Sequence, residues 1–261
     1  MTPTVFSNPA RERPRFRPFK ALGHFRRLIA DKEDTEQVFH IFESLPRKGF
    51  VPDAKAFLDS PRGKALMEKE PFLPTILDDH ETLKKLPAGT VGRAYLDFMT
   101  REGLSAAGLV EESEKMRIRR GKPRYEDQLE WYGERLRDTH DLLHVLTGYG
   151  RDALGEQCVL GFTYGQNRNL GNFFIAYLGG LHLKRTVKTD APVIAAIREG
   201  QRNGTAAANL INEDITALLA EPIDAARKRL GIGEPTLYRA AHLAYRARNI
   251  DPYNFMAAAA A

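Results

Sequence analysis

The chain has 261 residues, 43% hydrophobic and 28% charged, with 39 basic and 34 acidic side chains and a net charge of +5. That balance excludes a disordered or collagen-like chain, and the single cysteine, Cys158, excludes an internal disulfide framework. No apolar run reaches the roughly 18 residues that a spanning helix needs, and no secretory signal is visible.

Basic residues crowd the start: Arg11, Arg13, Arg15, Arg17, Lys20, Arg26 and Arg27. Residues 1–17 read as a flexible basic arm. An anionic membrane surface is favoured over nucleic acid as its partner, with a simple solvated tail as the equal alternative. No aromatic stacking platform, zinc-finger spacing or nucleic-acid motif accompanies the charge. Prolines at 3, 9, 14 and 18 break the amphipathic helix that an arginine-rich transit peptide requires.

Pro18 can start a helix that runs through Ala30. Asp34 and Thr35 can cap a second, with Val38, Phe39, Ile41, Phe42 and Leu45 at helical spacing, ended by Pro46. Ser60-Pro61 is an N-cap followed by proline at the first helical position. Residues 71–79 read as a connection. Thr90 caps a helix to Glu102, which Gly103 terminates. Residues 104–122, with a charge run from Glu111 to Lys122, read as a second connection. The next helix carries Leu129, Trp131, Tyr132 and Leu136. A motif helix follows and stops at Gly148. Asp152 caps a helix to about Asn167, and another runs through Arg185. Pro192 opens a further helix, one more covers roughly 207–220, and Pro222 to Leu230 forms the last. Alternating β patterns are almost absent. The expected fold is all-α: one multi-helix domain over 18–255 with an apolar groove between helices, and a frayed alanine tail at 256–261.

The motif helix reads His140-Asp141-Leu142-Leu143-His144. Histidines at i and i+4 share one helix face, one turn apart, where two imidazole nitrogens can grip one cation. Asp141 sits about 100° round, at the edge of that face. Glu156, beyond the Gly148-Tyr149-Gly150 break, can return on the next helix and close the site. Two histidines with carboxylates suit zinc, iron or manganese. A solvated histidine pair is the bland alternative, although the helix is otherwise apolar. Cys158 follows Glu156 by two residues, points away from it on a helix, and is read as core.

The spacing H-D-x-x-H, eleven residues, then E resembles the signature of the ubiquinone (coenzyme Q) biosynthesis Coq family, its fourth member. Arg137-Asp138-Thr139 before it agrees, as does Leu86-Pro87-Ala88-Gly89-Thr90-Val91-Gly92-Arg93-Ala94-Tyr95 with Phe98-Met99. The resemblance implies an enzyme acting on the aromatic head of an isoprenoid-tailed precursor, removing the C1 carboxylate and placing a hydroxyl there. His140, His144 and Glu156 would hold a divalent metal, with Asp141 as a further ligand or orienting a histidine. Zinc is the first choice, with iron, manganese or magnesium as alternatives. The resemblance also implies other ubiquinone-biosynthesis proteins as partners and allows a homodimer. It places the chain peripherally on the inner face of a bacterial-type membrane from the cytoplasm, or on the matrix side in a mitochondrion. Phe173, Phe174, Tyr177, Leu178 and Leu181 offer one wall for the isoprenoid tail, and Gly179-Gly180 a close approach. Two alternatives stand beside this reading. One is a non-catalytic prenyl-lipid-binding scaffold. The other is an HD-type metal-dependent phosphohydrolase, for which His80 would supply the upstream histidine.

Overall fold

A computed structural model describes residues 3–31, 34 and 36–254. Among them the helices are α1 Pro18–Ala30, α2 Glu36–Ser44, α3 Phe50–Asp59, α4 Pro61–Lys69, α5 Pro74–Leu77, α6 His80–Lys85, α7 Val91–Glu102, α8 Ala106–Arg119, α9 Gln128–Asp138, α10 His140–Thr147, α11 Ala153–Asn167, α12 Leu170–Thr186, α13 Val193–Ala206, α14 Ile215–Ala220, α15 Ile223–Leu230 and α16 Thr236–Arg246. No strand occurs among the described residues, only an isolated bridge between Thr90 and Pro222. The fold is all-α.

Local chemistry explains most boundaries. Ser60 Oγ accepts from Gly63 N–H at 3.0 Å and Pro61 opens α4. Thr90 caps α7, and Gly103 ends it at φ 66°. Gly148 stops α10 at φ 73°, and Asp152 caps α11 through Leu154 and Gly155 N–H.

Four expectations change. Residues 104–122 are not a connection, because α8 occupies most of them. It buries only Ala106 and Met116 and draws on a Ser105 cap and ion pairs at helical spacing, Lys115 to Glu111 and Glu112 and Arg117 to Glu114. Residues 71–79 hold the short α5, and Asp79 then caps α6. The helix expected over 207–220 is split into a 3₁₀ turn, Leu210–Asn212, and α14, because the Asp214 carboxylate starts a new helix by accepting from Ala217 N–H at 2.9 Å. Helices α3, α6 and α16 are additional. The Thr35 part of the second cap and the alanine tail at 256–261 lie outside the described residues.

Packing divides the chain into two compact units, Met1–Leu142 with Leu210–Ala226, and Leu143–Asn209 with Arg227–Ala261. In the first, Phe57, Leu58, Leu66, Met67, Leu129, Trp131 and Tyr132 form an apolar cluster. Beside it a charge pair is fully enclosed. Arg135 Nη1 donates to Glu70 Oε2 at 2.8 Å and its Nε to Ile211 O, while Thr216 N–H donates to Glu70 Oε1. Residues 5–11, expected within the flexible arm, are docked here. Gln128 N–H donates to Val5 O and Leu129 N–H to Phe6 O. Arg11 forks onto Asp127 with two bonds of 2.6 Å. The reason is electrostatic: Asp127 is 1% exposed and needs a counter-charge.

In the second unit α11 and α13 cross with backbones touching. A Cβ added at Gly204 would lie 2.0 Å from Phe162 O, and one at Gly165 would lie 2.4 Å from Gln201 O. Gly204→Ala must push the helices apart, and overpacking of this kind costs about 1–3 kcal/mol. Chemical denaturation should show that loss, and an unchanged midpoint would contradict the crossing. A second expectation concerns pH. Burial raises the Asp127 pKa, but the Arg11 guanidinium and the Asn8 and Glu130 N–H groups outweigh it and hold the carboxyl below the usual range. A depressed pKa adds stability above the unfolded value and loses it as pH falls through the folded one. Protection of the Gln128 and Leu129 amides from exchange, relative to an unstructured peptide, should therefore be high at neutral pH and fall below roughly pH 4. In Asp127→Asn it should already be low at neutral pH.

Candidate metal centre

Helix α10 places His140, Asp141 and His144 on one turn, and their donor atoms lie within 4.8 Å of one another. His140 and Asp141 are half-buried, and His144 is 2% exposed. Gly148 then turns the chain back, and Glu156 falls in the first turn of α11, where a carboxylate is favoured by the helix dipole. Glu156 Oε2 comes to 3.5 Å from His144 Nε2, and Arg151 Nε lies 3.6 Å from Oε1. Glu156 is not in the donor group of three found among the described residues and approaches it only through His144.

The ring of His144 is held in a definite state. Its Nδ1 lies 3.0 Å from the Tyr149 carbonyl oxygen. A carbonyl only accepts, so Nδ1 carries the proton. In the neutral ring the Nε2 lone pair then faces the Glu156 carboxylate. Two acceptors directed at each other at this range call for a cation or a proton between them. Ligands at about 2.0–2.2 Å from a tetrahedral zinc are roughly 3.3–3.5 Å apart, which the His144–Glu156 separation matches. A ligating histidine whose other nitrogen donates to a carbonyl is the usual arrangement of such centres. The donor set fits a divalent cation.

Around the motif, burial controls protonation. Asp138, 4% exposed, has its pKa raised by burial, with Arg137 opposing and Asp141 and Asp78 adding to the rise. Tyr95 of α7, legible in the sequence only as an apolar position, is 1% exposed. Burial, then the charges of Asp141, Asp78 and Asp138, push its phenol well above the ordinary tyrosine range. A protonated phenol therefore belongs to the surroundings of Asp141. His80 opens α6 and is not in the donor group found among the described residues. Cys158 is fully buried, its thiol pKa raised by burial, in keeping with a core role.

A family model described as coenzyme Q (ubiquinone) biosynthesis protein Coq4 matches residues 53–236. The chain belongs to the Coq4 family. Similar proteins include the mitochondrial ubiquinone biosynthesis protein COQ4 of Ajellomyces capsulatus, 28% identical over 184 residues, 68% of this chain and 60% of the relative. The Scheffersomyces stipitis protein is 29% identical over 68% of this chain and 52% of its own length. The Bos taurus COQ4 homolog, also named mitochondrial, is 28% identical over 68% and 63%. This Coq4 chain thus spans between 52% and 63% of the length of these relatives. A crystal structure of a Nostoc punctiforme protein shares the fold, with a TM-score of 0.60 at 21% identity, covering 84% of this chain and 100% of its own.

The positions expected to wall a tail groove lie on α12. Phe173 and Leu181 are 42% and 40% exposed, and Phe174, Tyr177 and Leu178 are half-buried. They form an outward apolar stripe, with the Tyr164, Phe173 and Tyr177 rings in a ladder. Gly179 and Gly180 face protein instead of open space: Gln157 and Ile197 side-chain atoms lie 2.5 and 2.3 Å from where their Cβ atoms would be.

For the centre itself, the double variant His140→Ala, His144→Ala should lose stoichiometric divalent metal in elemental analysis of protein purified without a histidine tag. It should stay folded, since a helical core of this size does not depend on one ion. Equal metal in both proteins would refute the assignment.

Proposed function

We propose that this Coq4 chain acts in ubiquinone synthesis on the aromatic head of an isoprenoid-tailed precursor, at the step where the C1 carboxylate leaves and a hydroxyl takes its place. His140, Asp141, His144 and Glu156 would hold a divalent cation, zinc first among the candidates. The observation that carries the reading is the 3.5 Å approach of Glu156 Oε2 to a His144 ring whose proton is fixed on Nδ1. A bound cation would polarise the carboxylate and phenol oxygens of the head group. Replacing carboxylate by hydroxyl is a two-electron oxidation, so an electron acceptor or dioxygen must take part. Within the chain, the neutral Tyr95 phenol near Asp141 can donate a hydrogen bond without adding charge.

The tail would lie along the α12 stripe, where Phe173 and Leu181 present apolar surface. The exposed arginines 13, 15 and 17 support a peripheral position on an anionic membrane, on the matrix side in a mitochondrion. No helix among the described residues is long and apolar enough to cross a membrane. The stripe also favours a second reading, a non-catalytic prenyl-lipid-binding scaffold that assembles other ubiquinone-biosynthesis proteins.

A strain lacking this protein separates the two. It should accumulate a prenylated precursor that keeps its carboxyl group, and the wild-type chain should restore quinone. His144→Ala or Glu156→Ala should reduce that restoration at least tenfold, the effect of about 1.4 kcal/mol of lost transition-state stabilisation. Normal quinone with either variant favours the scaffold. A precursor that has already lost its carboxyl moves the chain to another step.

A further inference from the structure

The Tyr149 carbonyl that fixes His144 is one end of a planar peptide, and the Gly150 N–H is the other. That N–H donates to the Tyr238 hydroxyl at 3.0 Å. Tyr238 in turn donates its proton to Asp152 Oδ2 at 2.5 Å. The other oxygen, Asp152 Oδ1, accepts from Leu154 and Gly155 N–H and lies 3.1 Å from His242 Nε2. Asp152 is 3% exposed and Tyr238 5%. The approach is close: a Cβ at Gly150 would meet the Tyr253 and Tyr238 hydroxyls at 2.4 and 2.8 Å and Asp152 Oδ2 at 3.0 Å. Helix α16 therefore reaches the candidate centre by two indirect routes. Through Tyr238 it holds the peptide that orients His144, and through Asp152 it holds the helix end that carries Glu156. Tyr238 and His242 lie beyond the residues matched to the family.

We propose that Tyr238 and Asp152, backed by His242, are positioning residues that hold the Tyr149–Gly150 peptide so that His144 keeps its proton on Nδ1 and presents Nε2 toward Glu156. This rests on the reading of His144 and Glu156 as cation ligands. With the phenol gone, the Gly150 N–H loses its acceptor and Asp152 its donor. The peptide is then free to turn, and the histidine can move its proton to Nε2, which leaves no lone pair there to face a cation beside Glu156. Asp152 Oδ2, buried and without the Tyr238 donor, would also loosen the first turn of α11.

The test uses the full chain and two readings. The first is the His144 tautomer in metal-free protein, by long-range proton–nitrogen NMR assigned with His144→Ala. The second is zinc affinity by competition titration. Wild type should show the Nδ1–H form. Tyr238→Phe should show a tautomer mixture and bind zinc at least ten-fold more weakly, the usual range for an outer partner of a metal histidine being about 10–100-fold. His242→Gln should shift both in the same direction by less. Should Tyr238→Phe not fold, Asp152→Asn and His242→Gln decide by the same readings. A folded Tyr238→Phe with wild-type tautomer and wild-type zinc affinity overturns the proposal. If wild type and His144→Ala bind zinc equally, the cation reading falls, while the tautomer still judges the positioning role.

Discussion

The second unit depends on how closely α11 and α13 approach. Residues 161, 165, 200 and 204 are all glycine, at i and i+4 on each helix, and each would place a Cβ within 2.0–2.8 Å of the opposite backbone. Contact at this range replaces side-chain interdigitation with backbone packing, which leaves little freedom to slide or rotate. Helix α11 is thereby a fixed rail. Glu156 rides on its first turn, Cys158 and Val159 fill the core beneath, and the Asp152 cap defines where the rail begins. A carboxylate placed to a few tenths of an ångström needs such a mount.

The first unit fixes its share of the motif differently. Arg135 and Glu70 are taken wholly out of water, and burial lowers the Arg135 pKa. A pair like this is weak evidence for net stability, since an apolar replacement is often as good. What it supplies is directionality. Three of the Arg135 bonds reach Glu70, Ile211 and Glu213, so α9 is tied at defined angles to the segment before α14. Thr139 Oγ1 donates back to Arg135 O at the junction where α10 begins.

Features that rest on local chemistry were legible in the sequence. The Ser60-Pro61, Thr90 and Asp152 caps, the Gly103 and Gly148 stops and the His140–Glu156 spacing each depend on a few neighbouring residues. Helix α8 escaped because apolar periodicity is the main helix signal and this helix buries almost nothing. Helix α16 escaped for the opposite reason. Its buried face, Tyr238, Ala241, His242 and Tyr245, has the right spacing, but two tyrosines and a histidine do not read as a core stripe. The site splits in the same way. Side-chain ligands announce themselves by type, whereas the Tyr149 carbonyl is a backbone group any residue could offer. Tyr238 acts from 88 residues away.

The docking of residues 5–11 on Asp127 has a consequence for synthesis. The bond from Asn8 to Asp127 spans 119 residues. A ribosome adding about 5–20 residues per second leaves residues 5–11 without their partner for on the order of ten seconds. During that interval Phe6, Phe16 and Phe19, set among unpaired arginines, are free to meet any anionic surface. Residues 5–11 are thus among the last to reach their place, and the bond of Arg11 to Asp127 records that α9 has formed.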